Sequence, residues 1–266
     1  MKKVFISADI EGTCGIVDWQ ETETGNAYSD YFRRQMTKEV TAACLGALEA
    51  GADEVLIKDA HDSARNIYPD MLPKQAKIIR AWSRNPYSMM MGLEKDFDAV
   101  FFTGYHNAAN TGTNPLAHTM TTSVTAYTIN GVTASEFLIN SYTAEYIGVP
   151  VALLTGDKGL CESAATLNKG IITVPVSEGI GNCSLSLHPE KACELIQEAA
   201  YNAFKGVNDG CRIKLPEEFE VKVSFRRPHM AYRASHYPGA YLIDPSTVGF
   251  RCKDYMDFLR FEMFAV

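Results

Sequence analysis

At 266 residues the chain can bury a full hydrophobic core, as one large domain or as a large one with a small appendage. Its 46% hydrophobic and 21% charged residues are ordinary for a soluble globular protein and exclude a disordered or low-complexity chain. A formal net charge of -7 argues against nucleic acid as a partner, because phosphate binding needs a basic face and the pair Arg226-Arg227 is too short to make one.

The chain opens on Met1-Lys2-Lys3-Val4-Phe5-Ile6, basic and then apolar in the manner of a signal peptide. The apolar run is too short for one and acidic residues follow at once, so it reads as a first strand. The spacing then predicts a helix over 31–50, with Phe32, Met36, Val40, Ala43 and Ala47 on one face and Gly51 as its stop. Continuous apolar runs follow at 55–57, 99–102 and 149–154, as expected of strands buried on both faces of a parallel sheet. Asn130-Gly131 lies between two alternating segments, 125–129 and 132–133, and signals a two-residue hairpin.

From about residue 170 the pattern changes. Residues 171–174 suit one more strand, and Pro189 opens a helix to about Phe204 with Ala192, Leu195, Ile196, Ala199 and Ala203 on its buried side. Residues 219–225 alternate apolar and polar, as in a half-exposed strand. The expected architecture is α/β: a mostly parallel sheet flanked by helices, with an antiparallel hairpin insertion, over residues 1–182, and a smaller α+β lobe over 183–266. No run of about 18 apolar residues exists to span a membrane. The seven cysteines are odd in number, scattered and never in a C-x-x-C pair, the pattern of a reduced, cytoplasmic protein whose thiols serve as small buried apolar groups.

The chemistry-bearing residues follow the apolar runs. Asp9 and Glu11 end the first, Asp59 and His61 the second, and Gly104-Tyr105-His106 the third. Ligands bind outside the carboxyl ends of the strands in an open α/β sheet, so three runs deliver carboxylates and imidazoles to one edge. If residues 9–11 stay extended, Asp9 and Glu11 point to the same side, and the same holds for Asp59 and His61. Any one such residue is more often a turn former or a capped polar group than a ligand. Their concentration at one edge favours a metal site, and oxygen ligands mixed with imidazole, without thiolate, favour zinc, manganese or cobalt.

At these residues the sequence resembles the zinc-dependent D-aminopeptidases of the dipeptide-operon type. Ser7-Ala8-Asp9-Ile10-Glu11-Gly12 is similar to that family's S-x-D-x-E-G, Asp59-Ala60-His61 to its D-S-H, and Gly104-Tyr105-His106 to its G-Y-H. His118-Thr119-Met120 resembles its H-S-M, and Glu136 falls where the family has G-E-L. Order and spacing agree from residue 4 to about 160. The resemblance implies two zinc ions per chain: Asp9 bridging them, Glu11 and His61 completing one, His106 and Glu136 the other. It makes His118 the catalytic histidine, and implies D-amino-acid peptides as substrates and a closed, ring-shaped homo-oligomer. Asn107, and Ala134-Ser135 before the glutamate, depart from the family pattern without removing a ligand, which leaves substrate preference open.

Other residues are weighed as bystanders. Asp59 is expected to orient a ligand rather than to be one. Cys14 has no base adjacent in sequence, His188 suits a helix cap, His229 and His236 sit in an aromatic, proline-bearing loop, and Asp157 lines the same sheet edge. Gly179-Ile180-Gly181 lacks the third glycine and the strand–turn–helix context of a dinucleotide site. The function read from all this is a binuclear metallo-aminopeptidase acting on short peptides or aminoacyl amides, the free amine being held by a carboxylate or a metal. Its competitors are a binuclear phosphoesterase, for whose phosphate only Lys58 and Lys158 are near in sequence, and a non-catalytic scaffold stabilised by metal.

Overall fold

The computed structural model describes residues 1–266. In chain order the elements are β1 (Lys3–Ala8), α1 (Ser29–Glu49), β2 (Glu54–Asp59), β3 (Ala76–Ile79), β4 (Ala99–Tyr105), β5 (Val124–Ile129), β6 (Val132–Thr133), α2 (Glu136–Ile147), β7 (Val151–Asp157) and α3 (Lys158–Leu167). They continue with β8 (Ile172–Ile180), β9 (Cys183–Ser186), α4 (Pro189–Gly206), β10 (Phe219–Phe225), α5 (Pro228–Ala234), β11 (Tyr241–Asp244), β12 (Thr247–Cys252) and α6 (Tyr255–Ala265).

The continuous apolar runs form the middle of a seven-stranded sheet in the order β3-β2-β1-β4-β7-β8-β9, parallel except for the last pair. β4 and β7 are buried at every residue, which is why their sequences show no alternation. The strand period still sorts side chains between two cores. Val4 and Ile6 face α1 and α4, where Met36, Val40, Ala43, Ala47, Ile196 and Ala200 receive them. Phe5, Val100 and Phe102 face the other way, toward Phe137 of α2 and the second sheet. α1 starts two residues before the expected position and stops where expected, with Gly51 at φ +102°. His188 caps α4, its Nδ1 accepting the Glu190 N–H at 3.3 Å.

A second, antiparallel sheet of five strands runs β11-β12-β10-β5-β6. Asn130 and Gly131 take φ +52° and +79°, as a two-residue hairpin turn requires. This hairpin supplies two of the five strands of the second sheet, because β5 pairs along its length with β10. Conversely, β9 and α4 follow residue 182 yet belong to the large sheet and its helical cover. The layers therefore cross the expected boundary at 182/183. The physical reason is β10: its inward face, Phe219, Val221, Val223 and Phe225, is fully buried and needs an antiparallel neighbour, which the chain had already made at β5. No helix is long and apolar enough to cross a membrane.

Candidate metal centre

From β1 the sheet grows outward to β2 and β3, then restarts at β4 on the other side of β1. The gap between the carboxyl ends of β1 and β4 is thus the topological switch point, where an α/β sheet leaves room for a ligand. Asp9 and Glu11 enter it from β1 and His106 from β4. They do not arrive on extended chain. The Gly12 N–H bonds the Gly104 carbonyl and the Thr13 N–H bonds the Ile10 carbonyl, so residues 9–13 turn across the end of β4. A side chain at Gly12 would collide with the Tyr105 carbonyl, and Gly104 sits at φ +66° against the Asp9 carbonyl. The two glycines let the strand ends touch, and that contact brings carboxylates to imidazole. Ser7 and Tyr105, from the same two motifs, brace it from beneath: their hydroxyls meet at 2.7 Å, and Asn140 of α2 donates to the Tyr105 oxygen at 3.1 Å.

His61 comes from the turn after β2. Asp59 does not share its side, as extended chain would have required. The Asp59 carboxylate accepts the N–H groups of Asn66 and Ile67 at 2.7 and 2.9 Å and the Asn66 amide at 3.0 Å, and that amide also donates to the His61 carbonyl. Asp59 therefore shapes the loop that carries His61 and is not part of the cluster. Asp157 does the same on the opposite flank: it caps α3 and accepts from the Asn107 N–H at 2.7 Å and the Thr113 hydroxyl at 3.1 Å. Glu136 is the first residue of α2, behind the Ser135 cap, and its Oε1 accepts the Met120 N–H at 2.7 Å.

The structure brings all six predicted site residues together. His61 Nδ1 lies 3.3 Å from Asp9 Oδ1 and 3.1 Å from Glu11 Oε2, while His106 Nε2 lies 3.5 Å from Asp9 Oδ2 and 3.6 Å from Glu136 Oε1. Asp9 belongs to both groups, Asp9–Glu11–His61 and Asp9–His106–Glu136. His118 stacks on His106 with ring centroids 4.2 Å apart, and its Nε2 lies 3.5 Å from Glu136 and 3.9 Å from Glu11. Its donor atom therefore also falls within ligand distance of Glu11 and His106.

Two features fit this cluster to metal. Asp9 Oδ2, Glu11 Oε2 and His106 Nε2, all facing into it, are buried without a hydrogen-bond partner, which a folded protein does not tolerate for nothing. The donor separations also match the edges of a zinc coordination shell, since ligands about 2.0–2.1 Å from zinc at tetrahedral angles lie about 3.4 Å apart. The charges are as unbalanced as the hydrogen bonds. Burial, reinforced by Glu11, drives the Asp9 carboxyl well above the usual range. Burial alone would lower His61 and His106, but the Glu11 and Glu136 carboxylates outweigh it and hold both imidazoles well above their ordinary value. Protons thus do the neutralising that cations do elsewhere, and a bound metal ion would displace them. His118 is the exception: burial and the neighbouring His106 lower it.

The cluster lies on a cavity of about 1260 Å³. Trp19, Arg84, Arg226, Arg227 and Glu262 line it as well. None of the three arginines makes an ion pair, in contrast to Arg34, Arg212, Arg251 and Arg260. Lys58 and Lys158, the bases near the site in sequence, are occupied elsewhere. Lys58 is buried, donates to the Asp59 and Ala81 carbonyls and sits over Trp82, and Lys158 pairs with Glu178. Cys14 bonds the Leu187 carbonyl, and burial pushes its thiol up to about 12. His229 and His236 are exposed on and after α5, outside the cluster.

A buried carboxylate–imidazole cluster at the switch point of an α/β sheet, opening on a cavity, is the site of a metallohydrolase. The chain belongs to peptidase family M55, the D-aminopeptidases, whose family model matches residues 1–264. A D-aminopeptidase of Bacillus subtilis (strain 168) is 28% identical over 257 residues, spanning 96% of this chain and 93% of the relative. The solved structure of the Zn-dependent D-aminopeptidase DppA from Bacillus subtilis, a self-compartmentalizing protease, superposes with a TM-score of 0.91 at 27% identity, over 99% of this chain and 96% of that one. The protein is a peptide hydrolase. Family membership sets aside both the phosphoesterase and the non-catalytic scaffold.

Proposed function

We propose that the protein is a binuclear zinc aminopeptidase for short peptides, D-amino-acid peptides among them. Asp9 would serve both ions, Glu11 and His61 would complete one site, and His106 and Glu136 would complete the other. The observation that carries this reading is the pair of donor groups sharing Asp9, with N···O separations of 3.1 to 3.6 Å, about the edge length of a zinc shell. Bound there, the ions supply Lewis acidity, activating water and polarising the scissile carbonyl. The chain's own residues do the rest. His106 donates Nδ1–H to the Asn107 carbonyl at 2.9 Å, which leaves Nε2 as its ligand atom. His118 likewise commits Nδ1–H to the Leu116 carbonyl at 2.9 Å, so its Nε2 faces the cluster with a free lone pair. An imidazole held neutral by burial would take up a proton as water attacks and return it to the leaving amine.

Protein purified without chelator should carry close to two zinc ions per chain by elemental analysis. Chelation should lower the melting temperature, since it withdraws ligands that bind only the folded site. Zinc present at 1,000 times its dissociation constant contributes about 4 kcal/mol. A stoichiometry near one removes the bridging role of Asp9, and zero removes the centre.

The unpaired Arg84, Arg226 and Arg227 support short peptides as substrates, because a guanidinium recognises a C-terminal carboxylate through paired N–H donors. The double substitution R226A/R227A should raise KM for a dipeptide about tenfold or more and leave KM for the corresponding aminoacyl amide unchanged. Equal effects on both compounds would remove the carboxylate from this end of the cavity. A homo-oligomer is supported by the self-compartmentalizing relative. The exposed Tyr241, Leu242 and Ile243 of edge strand β11 offer an apolar surface to a second copy. Seven free thiols support a cytoplasmic setting.

A further inference from the structure

Glu262 is the one buried carboxylate on the cavity that neither the metal cluster nor an ion pair accounts for; Glu23 and Asp62, which also line it, are exposed. It stands in the last turn of α6, only 6% exposed, on a helix whose other inward residues, Tyr255, Phe258, Leu259 and Ala265, are apolar. Burial together with the Glu136 charge pushes its carboxyl up to about 8, and no cation or hydrogen-bond donor of the protein acts against them. The nearby Tyr127 hydroxyl is buried without a partner of its own and donates nothing to it. A buried carboxyl with no cation or donor beside it costs stability even where burial keeps it mostly protonated, so its presence on the wall of a binding cavity points to a ligand cation that would let it ionise.

We propose that Glu262 receives the α-ammonium group of the substrate and thereby selects peptides with a free amino terminus. The inference rests on the Asp9–Glu136 cluster being the hydrolytic centre and adds the group that makes that centre exo-acting. Glu262 shares the cavity with Glu136, whose charge acts on it, and with His118, and the unpaired arginines line the same cavity. A short peptide carries both charges that this lining can pair: an ammonium for Glu262 and a carboxylate for the arginines. Selection by charge in a desolvated site is stringent, because a blocked amine loses the ion pair and leaves the carboxylate unpaired as well.

The experiment compares D-alanylglycine with N-acetyl-D-alanylglycine on the metal-loaded wild type, E262Q and E262M, with zinc content and melting temperature measured on each preparation. The wild type should cleave only the free-amine peptide. E262Q should keep its zinc and raise KM for that peptide about 30-fold or more with a smaller change in kcat. E262M, which suits the apolar surroundings, should melt at or above the wild type and show the same rise in KM. A KM within twofold of wild type in E262Q, or comparable cleavage of both peptides by the wild type, overturns the assignment. So does a fall in melting temperature in both variants, which would make Glu262 a structural group bridged to Tyr127 by water. A wild type that holds no metal and cleaves neither peptide takes down the metallo-aminopeptidase reading itself.

Discussion

Asp9→Asn should leave the chain folded but cost it both metals and nearly all activity. Asp9 is the only side chain common to the two donor groups, and an amide keeps its size while removing the charge that two cations would share. Losing the metals removes several kcal/mol of transition-state stabilisation, so hydrolysis should fall by about 10³-fold or more. Stability separates this from a folding defect. After exhaustive chelation the wild type holds the carboxylates of Asp9, Glu11 and Glu136 buried together, and burial plus Glu11 already oppose ionisation of Asp9. Its folded-state carboxyl is raised, so at neutral pH the ionised form works against folding. The asparagine variant, free of that repulsion, should then melt at or above the chelated wild type, whereas zinc should raise the melting temperature of the wild type alone. Elemental analysis, thermal melts with and without zinc, and peptide hydrolysis on the same preparations test all three points. A D9N protein that retains two zinc ions would mean that another group bridges them.

The large sheet was legible because its strands are buried on both faces, which makes each a bare apolar run such as 99–102 or 149–154. The centre was legible for a related reason: the fold places strand ends at its switch point, so polar residues closing those runs converge whatever the intervening chain does. The detailed geometry was not. Asp9 and Glu11 meet their partners through a turn that depends on Gly12 and Gly104 touching across two strands, a contact that no local pattern encodes. Asp59 looked equivalent to His61 by strand alternation, but β2 ends at Asp59 and the loop takes its carboxylate. Glu136 was found only through the family resemblance. Its helix is buried on nearly every side from Glu136 to Ala144 and so carries no amphipathic stripe. The second sheet was read in pieces because β5 finds β10 far along the chain, Ile129 pairing with Val221 and Val124 with Phe225. A signal for Glu262 did exist: it falls on the i, i+3, i+4, i+7 face of Tyr255, Phe258 and Leu259, where a lone acid is out of place.

His118→Ala should keep both metals and the fold yet lower turnover by about 10²-fold or more, the usual scale for losing a general acid–base. The case for a proton carrier rather than a fifth imidazole-or-carboxylate ligand beyond the four partners of Asp9 rests on three observations. His118 is the most exposed of the six, at 12% of its side chain, where Asp9, Glu11, His61, His106 and Glu136 reach at most 8%. It comes from the loop between β4 and β5, not from a strand end, and is held by stacking on His106 and an edge contact with Trp19 at 5.3 Å. Burial and His106 depress its basicity, whereas carboxylates raise that of His61 and His106, so the electrostatics separate one imidazole from the other two. His106→Ala, by contrast, empties one of the two groups around Asp9 and should lose one metal together with activity. Zinc content and peptide hydrolysis measured on the two variants side by side decide the matter. Loss of zinc in H118A would place His118 with Glu11 and His106 as a ligand, a geometry its position also permits. Normal hydrolysis in a metal-replete H118A would leave the proton transfer to another group on the cavity.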